Sequence, residues 1–466
     1  MKHSLFFLYL YLERPQITIF RWPWTSIAAL LRLAIACYSA PSRLALDAHC
    51  SPKKTQFATF RGISAIAALF YFFFLAGCSV LKIHPSLKDE FAMQRIPSYR
   101  YPEFSDDMAY DSLEYSISQS ISYLKRFPSS RQFRFGKDSF NAAHMIKSME
   151  HFLNFIQTRP SKDEFNKFIK SNYLVYKSIG GTNGHVLFTG YYEPVLQGSL
   201  EQSTEYRFPI YARPCDLTTV DLSLFIPHLN NKKIIGRYTG RTVVPYFERD
   251  EIECKGGLKG KAEKIAWIKD QVDLFFLQIQ GSGRIYFDNG KTINVHYDIT
   301  NGRPYRSIGK LLIEEGRIEK SEMSMQKIRA YLREHPEEVR TILNFNPSYV
   351  FFKIEEDGPL GCIGVKLTPG RSIALDRRIF PLSALAFIEA EKPLINGDGK
   401  IHNWITFSRF VLNHDTGGAI RGPGRADLFW GNGPYAEITA GHMQHKGKLY
   451  FLVLKPKLNN FLLDLH

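Results

Sequence analysis

The sequence contains few cysteines, and their spacing excludes the common metal sites. Six occur among 466 residues, and no two are close enough to form a Cys-x-x-Cys or similar metal-binding motif. The chain also has no cofactor-binding motif, no internal repeat and no low-complexity segment. We therefore predict neither a metal nor a cofactor. The cysteines are Cys37, Cys50, Cys78, Cys215, Cys254 and Cys362.

The N-terminal region also lacks a hydrophobic run of membrane-spanning length. Its apolar segment, residues 62–77, is shorter than a stable spanning helix, and basic residues within 53–61 precede it. A basic stretch, a short apolar stretch and small residues before the cleavage point make up a secretion signal. The ending Leu75-Ala76-Gly77-Cys78 resembles the lipobox of bacterial lipoproteins, which predicts that Cys78 is acylated. The alternative is an uncleaved anchor helix followed by a coincidental cysteine.

This signal lies far from Met1, although signal peptides begin near the start of translation. The next methionine is Met93, so we expect translation to start at a non-AUG codon before Lys53. Residues 1–77 are then presequence and signal peptide without a folded role. After Cys78 the mature chain keeps an odd, widely spaced set of cysteines, which is not a disulfide framework: Cys215, Cys254 and Cys362.

The net charge of +15 is not matched by a motif that selects one partner. A basic surface attracts nucleic acid, anionic lipid and anionic cell-wall polymer alike, and a solvated basic face without any partner is equally compatible. Export and the absence of a stripe of Lys and Arg argue against nucleic acid. Membrane lipid and the cell wall remain as partners.

The mature chain begins with an aperiodic segment and two helical patterns. Residues 78–135 are rich in Pro, Tyr and Ser, which predicts a tether after the lipidated cysteine. Apolar residues then recur at helical spacing in two consecutive segments. These are Phe140, Met145, Met149, Phe152 and Phe155, followed by Phe165, Phe168 and Ile169.

Most of the remaining sequence is typical of β-structure. Short β-branched and aromatic runs punctuated by Gly and Pro predict strands, among them 186–188, 208–211, 274–279, 284–287, 350–354, 404–412 and 449–454. Two helices interrupt them, one capped by Ser324 and one after Pro336. So many short strands favour closed barrels, and one barrel does not consume them all. The sequence predicts two β domains with a groove between them.

Two carboxylates stand in a glycine-rich constellation near the C-terminus. Asp415 belongs to His414-Asp415-Thr416-Gly417-Gly418, and Asp427 belongs to Arg425-Ala426-Asp427-Leu428-Phe429-Trp430. The apolar neighbours of Asp427 predict a raised carboxyl pKa, as a general acid requires. The alternative is that both are ordinary turn aspartates.

Three upstream segments combine aromatic rings, amides and glycines, which suits the binding of sugar rings. Packing and turn formation explain each segment about as well when it is taken alone. The segments are Thr189-Gly190-Tyr191-Tyr192-Glu193-Pro194, Gln278-Ile279-Gln280-Gly281-Ser282-Gly283 and Asn301-Gly302-Arg303-Pro304-Tyr305-Arg306-Ser307-Ile308-Gly309.

Taken together, these segments resemble the signature blocks of the membrane-bound lytic murein transglycosylase A family, in that family's order. The resemblance runs from about residue 184 to residue 455 and includes Met323-Ser324-Met325-Gln326, Asn346-Pro347-Ser348-Tyr349-Val350-Phe351-Phe352 and Asp376-Arg377-Arg378-Ile379-Phe380-Pro381. The C-terminal part also resembles a small domain named for three aspartates, which here are Asp376, Asp415 and Asp427.

The resemblance implies a mainly β fold: a six-stranded double-psi β-barrel with a smaller inserted β-barrel domain, a few helices and a substrate groove between the two. We expect residues 136–204 and 316–466 to form the barrel domain and residues 205–315 the inserted domain. The resemblance further implies a peptidoglycan lytic transglycosylase, held by a lipid on Cys78 at the periplasmic face of the outer membrane. Such an enzyme cleaves the bond between N-acetylmuramic acid and N-acetylglucosamine and leaves 1,6-anhydromuramic ends.

The resemblance also implies the site residues. Asp427 matches the catalytic acid/base, and Asp415 and Asp376 match the other two aspartates. A single acid suffices because the nucleophile is the C6 hydroxyl of the sugar, whereas ordinary glycosidases use two carboxylates. The expected substrate-binding residues are Thr189, Gly190, Tyr191, Tyr192, Gln280, Gly281, Ser282 and Gln326.

Two alternative functions belong to other classes. Asp415-Thr416-Gly417 is also the triplet of aspartic proteases, but these need two such triplets and this chain has one. A lipoprotein that binds peptidoglycan without cleaving it would keep the sugar-binding residues and would not need the acid.

Overall fold

The structure is a computed structural model that describes residues 92–181, 184–229 and 232–456. The presequence, Cys78 and the first part of the expected tether lie outside the described residues. Within these ranges no helix is both long and apolar enough to cross a membrane. The cysteines Cys215, Cys254 and Cys362 are free thiols.

The described residues are mainly β, as the sequence predicts. The strands are β1 Met93–Ile96, β2 Gln132–Phe135, β3 Asp138–Asn141, β4 Tyr173–Ser178, β5 Val186–Tyr191, β6 Val195–Ser199, β7 Phe208–Tyr211, β8 Leu217–Asp221, β9 Lys233–Tyr238, β10 Val243–Pro245, β11 Lys264–Ile268, β12 Ser282–Phe287, β13 Thr292–Thr300, β14 Val350–Glu355, β15 Ser372–Ala374, β16 Leu385–Ile395, β17 Ile401–Asp415, β18 Arg425–Phe429 and β19 Gln444–Leu454. The helices are α1 Leu113–Leu124, α2 Ala142–Ile156, α3 Lys162–Asn172, α4 Arg249–Glu253, α5 Gln271–Gln280, α6 Ile308–Glu314, α7 Met325–Glu334, α8 Val339–Asn344 and α9 Pro434–His442.

Six strands close into a barrel, which confirms the predicted fold. They follow the order β19-β16-β17-β15-β18-β5, and β5 pairs back with β19. The pairs β15–β17 and β18–β5 are parallel, and the other pairs are antiparallel. Alternate side chains fill the interior, with Phe188, Leu412, Leu428 and Phe451 fully buried. β4 and β1 extend the sheet outward from β19.

A second six-stranded sheet forms the other β domain. Its order is β14-β13-β12-β6-β11-β7, and a bridge between Ala212 and Phe352 joins its two ends. Helix α5 packs on this sheet with Leu274 and Leu277 buried in its core. Because β6 and β14 are hydrogen-bonded members, the sheet extends on both sides beyond residues 205–315.

Helices α2 and α3 confirm the two predicted N-terminal helices. Asn141 caps the first, and Ser161 and Glu164 form a capping box on the second. The predicted strand over residues 274–279 is wrong, because these residues lie within α5. Asp270 caps this helix, Gly281 ends it in the left-handed conformation, and burial on nearly all sides removes the helical period from its sequence.

The predicted tether is wrong from residue 92 onward. Strand β1 pairs with β4, and α1 packs on the barrel through Leu113, Ile117 and Leu124, which are fully buried. Asp106 accepts two hydrogen bonds from the buried guanidinium of Arg371, at 2.6 and 2.8 Å. A Pro-rich composition suggested a flexible segment, but these long-range contacts hold the chain against the barrel.

Candidate active site

A groove of about 780 Å³ lies where the barrel faces the second sheet. The barrel contributes Tyr191, Asp415, Arg425 and Asp427 to its lining. The second sheet and its loops contribute residues 278–282, together with His296, Tyr297, Tyr305, Asn346, Ser348 and Lys353. The structure therefore has a groove between the two β domains, as the sequence predicts.

Strand β18 places Asp427 in this groove. Arg425 and Asp427 face the groove while Ala426 and Leu428 are fully buried, because side chains alternate along a strand. The Thr189 hydroxyl, opposite Asp427 on β5, donates a hydrogen bond to Oδ1 of Asp427. The Arg425 guanidinium donates to the same oxygen through Nε at 2.8 Å.

The surroundings of Asp427 differ from the apolar setting that the sequence suggests. Leu428 points to the barrel core, on the opposite side of the strand, so it does not enclose the carboxyl group. The contacts of the carboxylate are the hydroxyl of Thr189 and the guanidinium of Arg425. Leu428 therefore packs the barrel rather than the acid, and Phe429, the next residue on the face of Asp427, packs its ring 5.2 Å from that of Tyr191.

Asp415 is the more enclosed acid of the pair. It ends β17, and its carboxylate accepts hydrogen bonds from Tyr191 Oη at 3.0 Å, Thr416 N at 2.8 Å and Cys362 N at 2.9 Å. Burial outweighs these donors and, with the nearby charge of Asp427, raises the pKa of Asp415 to about 6. Asp415 is thus the acid whose charge changes near neutral pH.

The central strand β15 sets the spacing of the two acids. Ala374 is the register partner of Asp415 on one side and of Asp427 on the other. Two strand spacings separate the backbones of the acids by roughly 10 Å. Both side chains line the same groove from neighbouring positions.

Asp376 has a different environment from the other two aspartates. Its side chain is buried outside the groove lining and accepts from Arg378 Nη2 at 2.6 Å and Gly422 N at 2.8 Å. Burial alone would raise the pKa of this carboxyl, but these donors outweigh it and hold the pKa below its ordinary value. Asp376 fixes the loop that leads into β18.

Half of the predicted sugar-binding residues line the groove. Tyr191, Gln280, Gly281 and Ser282 are part of its wall. Gly281 gives the chain the left-handed turn, with φ of 83°, between α5 and β12. Thr189 instead contacts the acid Asp427 directly.

The other three predicted residues lie outside the groove lining. A Cβ on Gly190 would lie 2.7 Å from Cα of Ala440, so this glycine allows α9 to approach β5. Tyr192 is buried, with its hydroxyl 3.4 Å from Glu437. Gln326 donates to the carbonyl of Glu437 at 2.9 Å and lies outside the groove lining.

Arg249 is a groove residue that the sequence reasoning missed. Its buried guanidinium donates to Gln278 Oε1 at 2.6 Å, to the Ser348 carbonyl at 2.7 Å and to the Asn346 carbonyl at 3.1 Å. It therefore holds two of the signature blocks together under the groove floor. It follows Glu248 and precedes two acids, a pattern typical of an exposed charged helix.

Arg425 was also missed, although a signal was present. Arg and Asp two residues apart on a strand share one face, so the sequence Arg425-Ala426-Asp427 indicates a pair. The described residues contain no group of three or more His, Cys, Asp or Glu side chains arranged to hold a metal ion.

Comparison with family models gives two matches. The MltA specific insert domain matches residues 187–353, and the 3D domain matches residues 371–453. The first match contains all strands of the second sheet except the end of β14. The second contains Asp376, Asp415 and Asp427.

Curated proteins and solved structures agree with these models. Membrane-bound lytic murein transglycosylase A of Escherichia coli K12 is 35% identical over 280 residues, which are 59% of this chain and 68% of that protein. A membrane-bound lytic murein transglycosylase from Agrobacterium tumefaciens has a TM-score of 0.64 at 30% identity, covering 78% of this chain and 98% of that one. The E. coli enzyme with bound chitohexaose has a TM-score of 0.58 at 28% identity, covering 78% of this chain and 95% of that one.

The family models cover the inserted sheet and the three aspartates, and the similarity to the curated and solved proteins extends over most of the described residues. The fold is therefore shared with these proteins. The chain belongs to the membrane-bound lytic murein transglycosylase A family.

Proposed function

We propose that the groove binds a peptidoglycan glycan strand and that Asp427 alone serves as acid and base in its cleavage. The observation that carries this proposal is the arrangement at Asp427, where both hydrogen-bond donors contact Oδ1. Oδ2 is thereby left to exchange a proton with substrate. The chitohexaose complex of a relative supports a glycan in the groove.

The reaction requires two proton transfers at this oxygen. Protonated Asp427 donates to the glycosidic oxygen while the bond from C1 of N-acetylmuramic acid breaks, and positive charge develops at that carbon. The C6 hydroxyl of the same sugar then attacks C1, and its proton passes to the Asp427 carboxylate. The products are a 1,6-anhydromuramic end and an N-acetylglucosamine end, and no water is consumed.

The neighbours of Asp427 fit both halves of this cycle. Arg425 and Thr189 stabilise the carboxylate that forms after the first proton transfer, since charge-assisted hydrogen bonds favour the ionised form. Asp415, when ionised, supplies a negative charge near the developing positive carbon. Its hydrogen bond from Tyr191 fixes this group in the groove wall.

The test is a product analysis of wild type and Asp427→Asn on purified peptidoglycan by mass spectrometry. We expect wild type to release fragments one water lighter than hydrolysis products and the variant to release none. The matched control is Asp398→Asn, an exposed turn residue, which should behave as wild type. Fragments with ordinary reducing ends would instead mean a hydrolase with a second carboxylate. Binding without products from any of the three proteins would favour the non-catalytic lipoprotein.

We further propose that a lipid on Cys78 anchors the enzyme at the periplasmic face of the outer membrane. The lipobox-like sequence before Cys78 and the membrane-bound relatives support this proposal. Cells grown with a labelled fatty acid should incorporate label into wild type and not into Cys78→Ala, which should appear in the soluble fraction. Equal labelling of both proteins would contradict the anchor.

A further inference from the structure

A second cavity of about 310 Å³ lies beside the groove. We infer that this cavity binds the acidic peptide attached to the muramic acid residues of the glycan strand. The inference rests on the proposed function, because the strand must lie in the groove to present its peptide. We name the cavity the arginine pocket, after four residues of its lining: Arg131, Arg134, Arg377 and Arg378.

The charged residues that line the arginine pocket are all positive. Its lining contains four arginines and no Asp or Glu. Arg378 pairs with Asp376, and among the described residues Arg131, Arg134 and Arg377 have no carboxylate partner within ion-pair distance. Uncompensated guanidinium groups around a concave surface attract carboxylates and bind them in bidentate fashion.

The remaining wall of the pocket is aromatic. The rings of Tyr123 and Phe127 are 5.1 Å apart at 75°, and those of Phe127 and Phe133 are 6.3 Å apart at 82°. All three side chains are only half-buried, so their faces are available to a ligand. A ligand that combines carboxylates with methyl and methylene groups fits this wall, and the peptides of peptidoglycan have that composition.

The pocket is continuous with the groove through one residue. Arg377 lines both cavities, and its charge acts on Tyr123 in the pocket as well as on Tyr297 in the groove. Arg377 lies three residues after Ala374, the register partner of Asp427, which limits its backbone to roughly 11 Å from that alanine. A peptide of three to five residues spans roughly 10 to 18 Å, so a peptide attached near the cleavage point reaches the pocket.

The glycan itself does not explain the pocket. N-acetylated sugars are uncharged, and the lactyl carboxylate that remains on muramic acid after removal of the peptide is too short to leave the groove. The pocket therefore adds selectivity for strands that still carry peptides. Arg131 and Arg134 are the residues to test, because they line the pocket and not the groove.

The experiment measures binding in the Asp427→Asn background, so that it does not depend on turnover. Two ligands of equal glycan length are compared, one with intact peptides and one stripped of them by an amidase. With Arg131→Gln and Arg134→Gln together, we expect the Kd for the peptide-bearing strand to rise about tenfold and the Kd for the stripped strand to change less than about twofold. The matched control is Arg241→Gln with Arg333→Gln, which removes the same charge from exposed positions outside both cavities.

Two results would overturn the inference: an equal rise of Kd for both ligands, or no rise for either. Loss of binding to anionic phospholipid vesicles, with peptide-strand binding intact, would also overturn it and assign the pocket to lipid. Turnover by the enzyme with Asp427 restored separates this inference from the proposed function. If the arginine variant loses binding selectively but no strand is cleaved even by wild type, the proposed reaction is wrong and the pocket stands. If wild type cleaves but the arginine substitutions change Kd equally for both ligands, or for neither, the pocket is wrong and the reaction stands.

Discussion

Asp415 is a carboxyl group in the groove whose protonation changes close to neutral pH. Burial raises its pKa to about 6, so it is protonated below that pH and ionised above it. Ionised Asp415 stabilises positive charge at C1, so its ionisation favours cleavage. Activity should therefore increase as the pH rises through about 6.

This predicts a rising limb in the pH profile of kcat/KM, centred near pH 6, for wild type. Asp415→Asn should lower kcat/KM and lose that limb, because its amide does not titrate. The measurement is the initial rate on soluble glycan fragments from two pH units below the midpoint to two above it. Asp398→Asn is the control and should keep the limb, and a limb that persists in Asp415→Asn would assign the titration to another group.

At this scale, sequence reasoning named the two acids and their donors Thr189 and Tyr191, and it missed Arg249, Arg425 and the backbone donor Cys362 N. Asp427 and Asp415 stand out because carboxylates among glycines are visible in the chain itself. Arg249 and Cys362 N are invisible there, since a guanidinium under a groove floor and a backbone donor depend on distant segments meeting. The apolar setting expected around Asp427 is not what the structure shows, because its sequence neighbours Ala426 and Leu428 lie on the opposite face of the strand.

Among the elements, strand β5 is the one whose position determines the contacts of both acids. It pairs in parallel with β18 and antiparallel with β19, and it carries Thr189 and Tyr191 to the two acids. Gly190 between them faces α9 and Trp430, with space for hydrogen only. The position of both acid contacts therefore depends on a glycine packed between α9 and Trp430.

Gly190→Ala should destabilise the protein and reduce turnover. The new Cβ would lie 2.7 Å from Ala440 Cα and 2.8 Å from Trp430 Cδ1, and such overpacking costs about 1–3 kcal/mol. We expect a lower Tm in calorimetry, together with a lower kcat as β5 shifts away from Asp427. Gly397→Ala is the control, since nothing lies within 4 Å of its added Cβ. An unchanged Tm in Gly190→Ala would show that α9 moves away freely.

Elements with a strong local period were predicted correctly, and buried ones were not. The amphipathic helices α2 and α7 and the alternating strands follow from spacing and caps. The sequence of α5 predicts a strand, because no polar face interrupts its apolar run. Four consecutive residues of this helix are buried: Leu274, Phe275, Phe276 and Leu277. Its cap Asp270 and its terminal Gly281 were the signals that favoured a helix.

At the scale of the whole molecule, the N-terminal segment with α1 packs against the residue that precedes Asp415. The hydroxyl of Ser120 in α1 is 2.8 Å from Nε2 of His414, the residue before Asp415, and Ser372 is 3.0 Å from its Nδ1. Burial lowers the pKa of His414 to about 3, so the ring stays neutral between these hydroxyls. A segment that composition describes as a tether thus reaches to within one residue of an active-site acid.

Asp106 is the residue through which this arrangement can be tested. Its carboxylate accepts from both terminal nitrogens of Arg371 and from Phe410 N at 2.9 Å, and the side chains of the ion pair are 1% exposed or less. Asp106→Ala leaves a buried guanidinium without its carboxylate, which costs about 3–5 kcal/mol. The Tm should fall by far more than in Asp288→Ala, an exposed hairpin aspartate used as the control.

The same substitution separates a tether from a folded support. If residues 92–135 only linked the enzyme to a membrane, Asp106→Ala would leave Tm and turnover at wild-type values. Because Asp106 holds Arg371 beside β15 and α1 contacts His414, we expect turnover to fall as well, even at temperatures where the variant remains folded. A chain that begins at residue 136 should lack both contacts and fail to fold, whereas one that begins at residue 84 should retain activity in solution. Equal activity of the two shortened chains would show that residues 92–135 are only a tether.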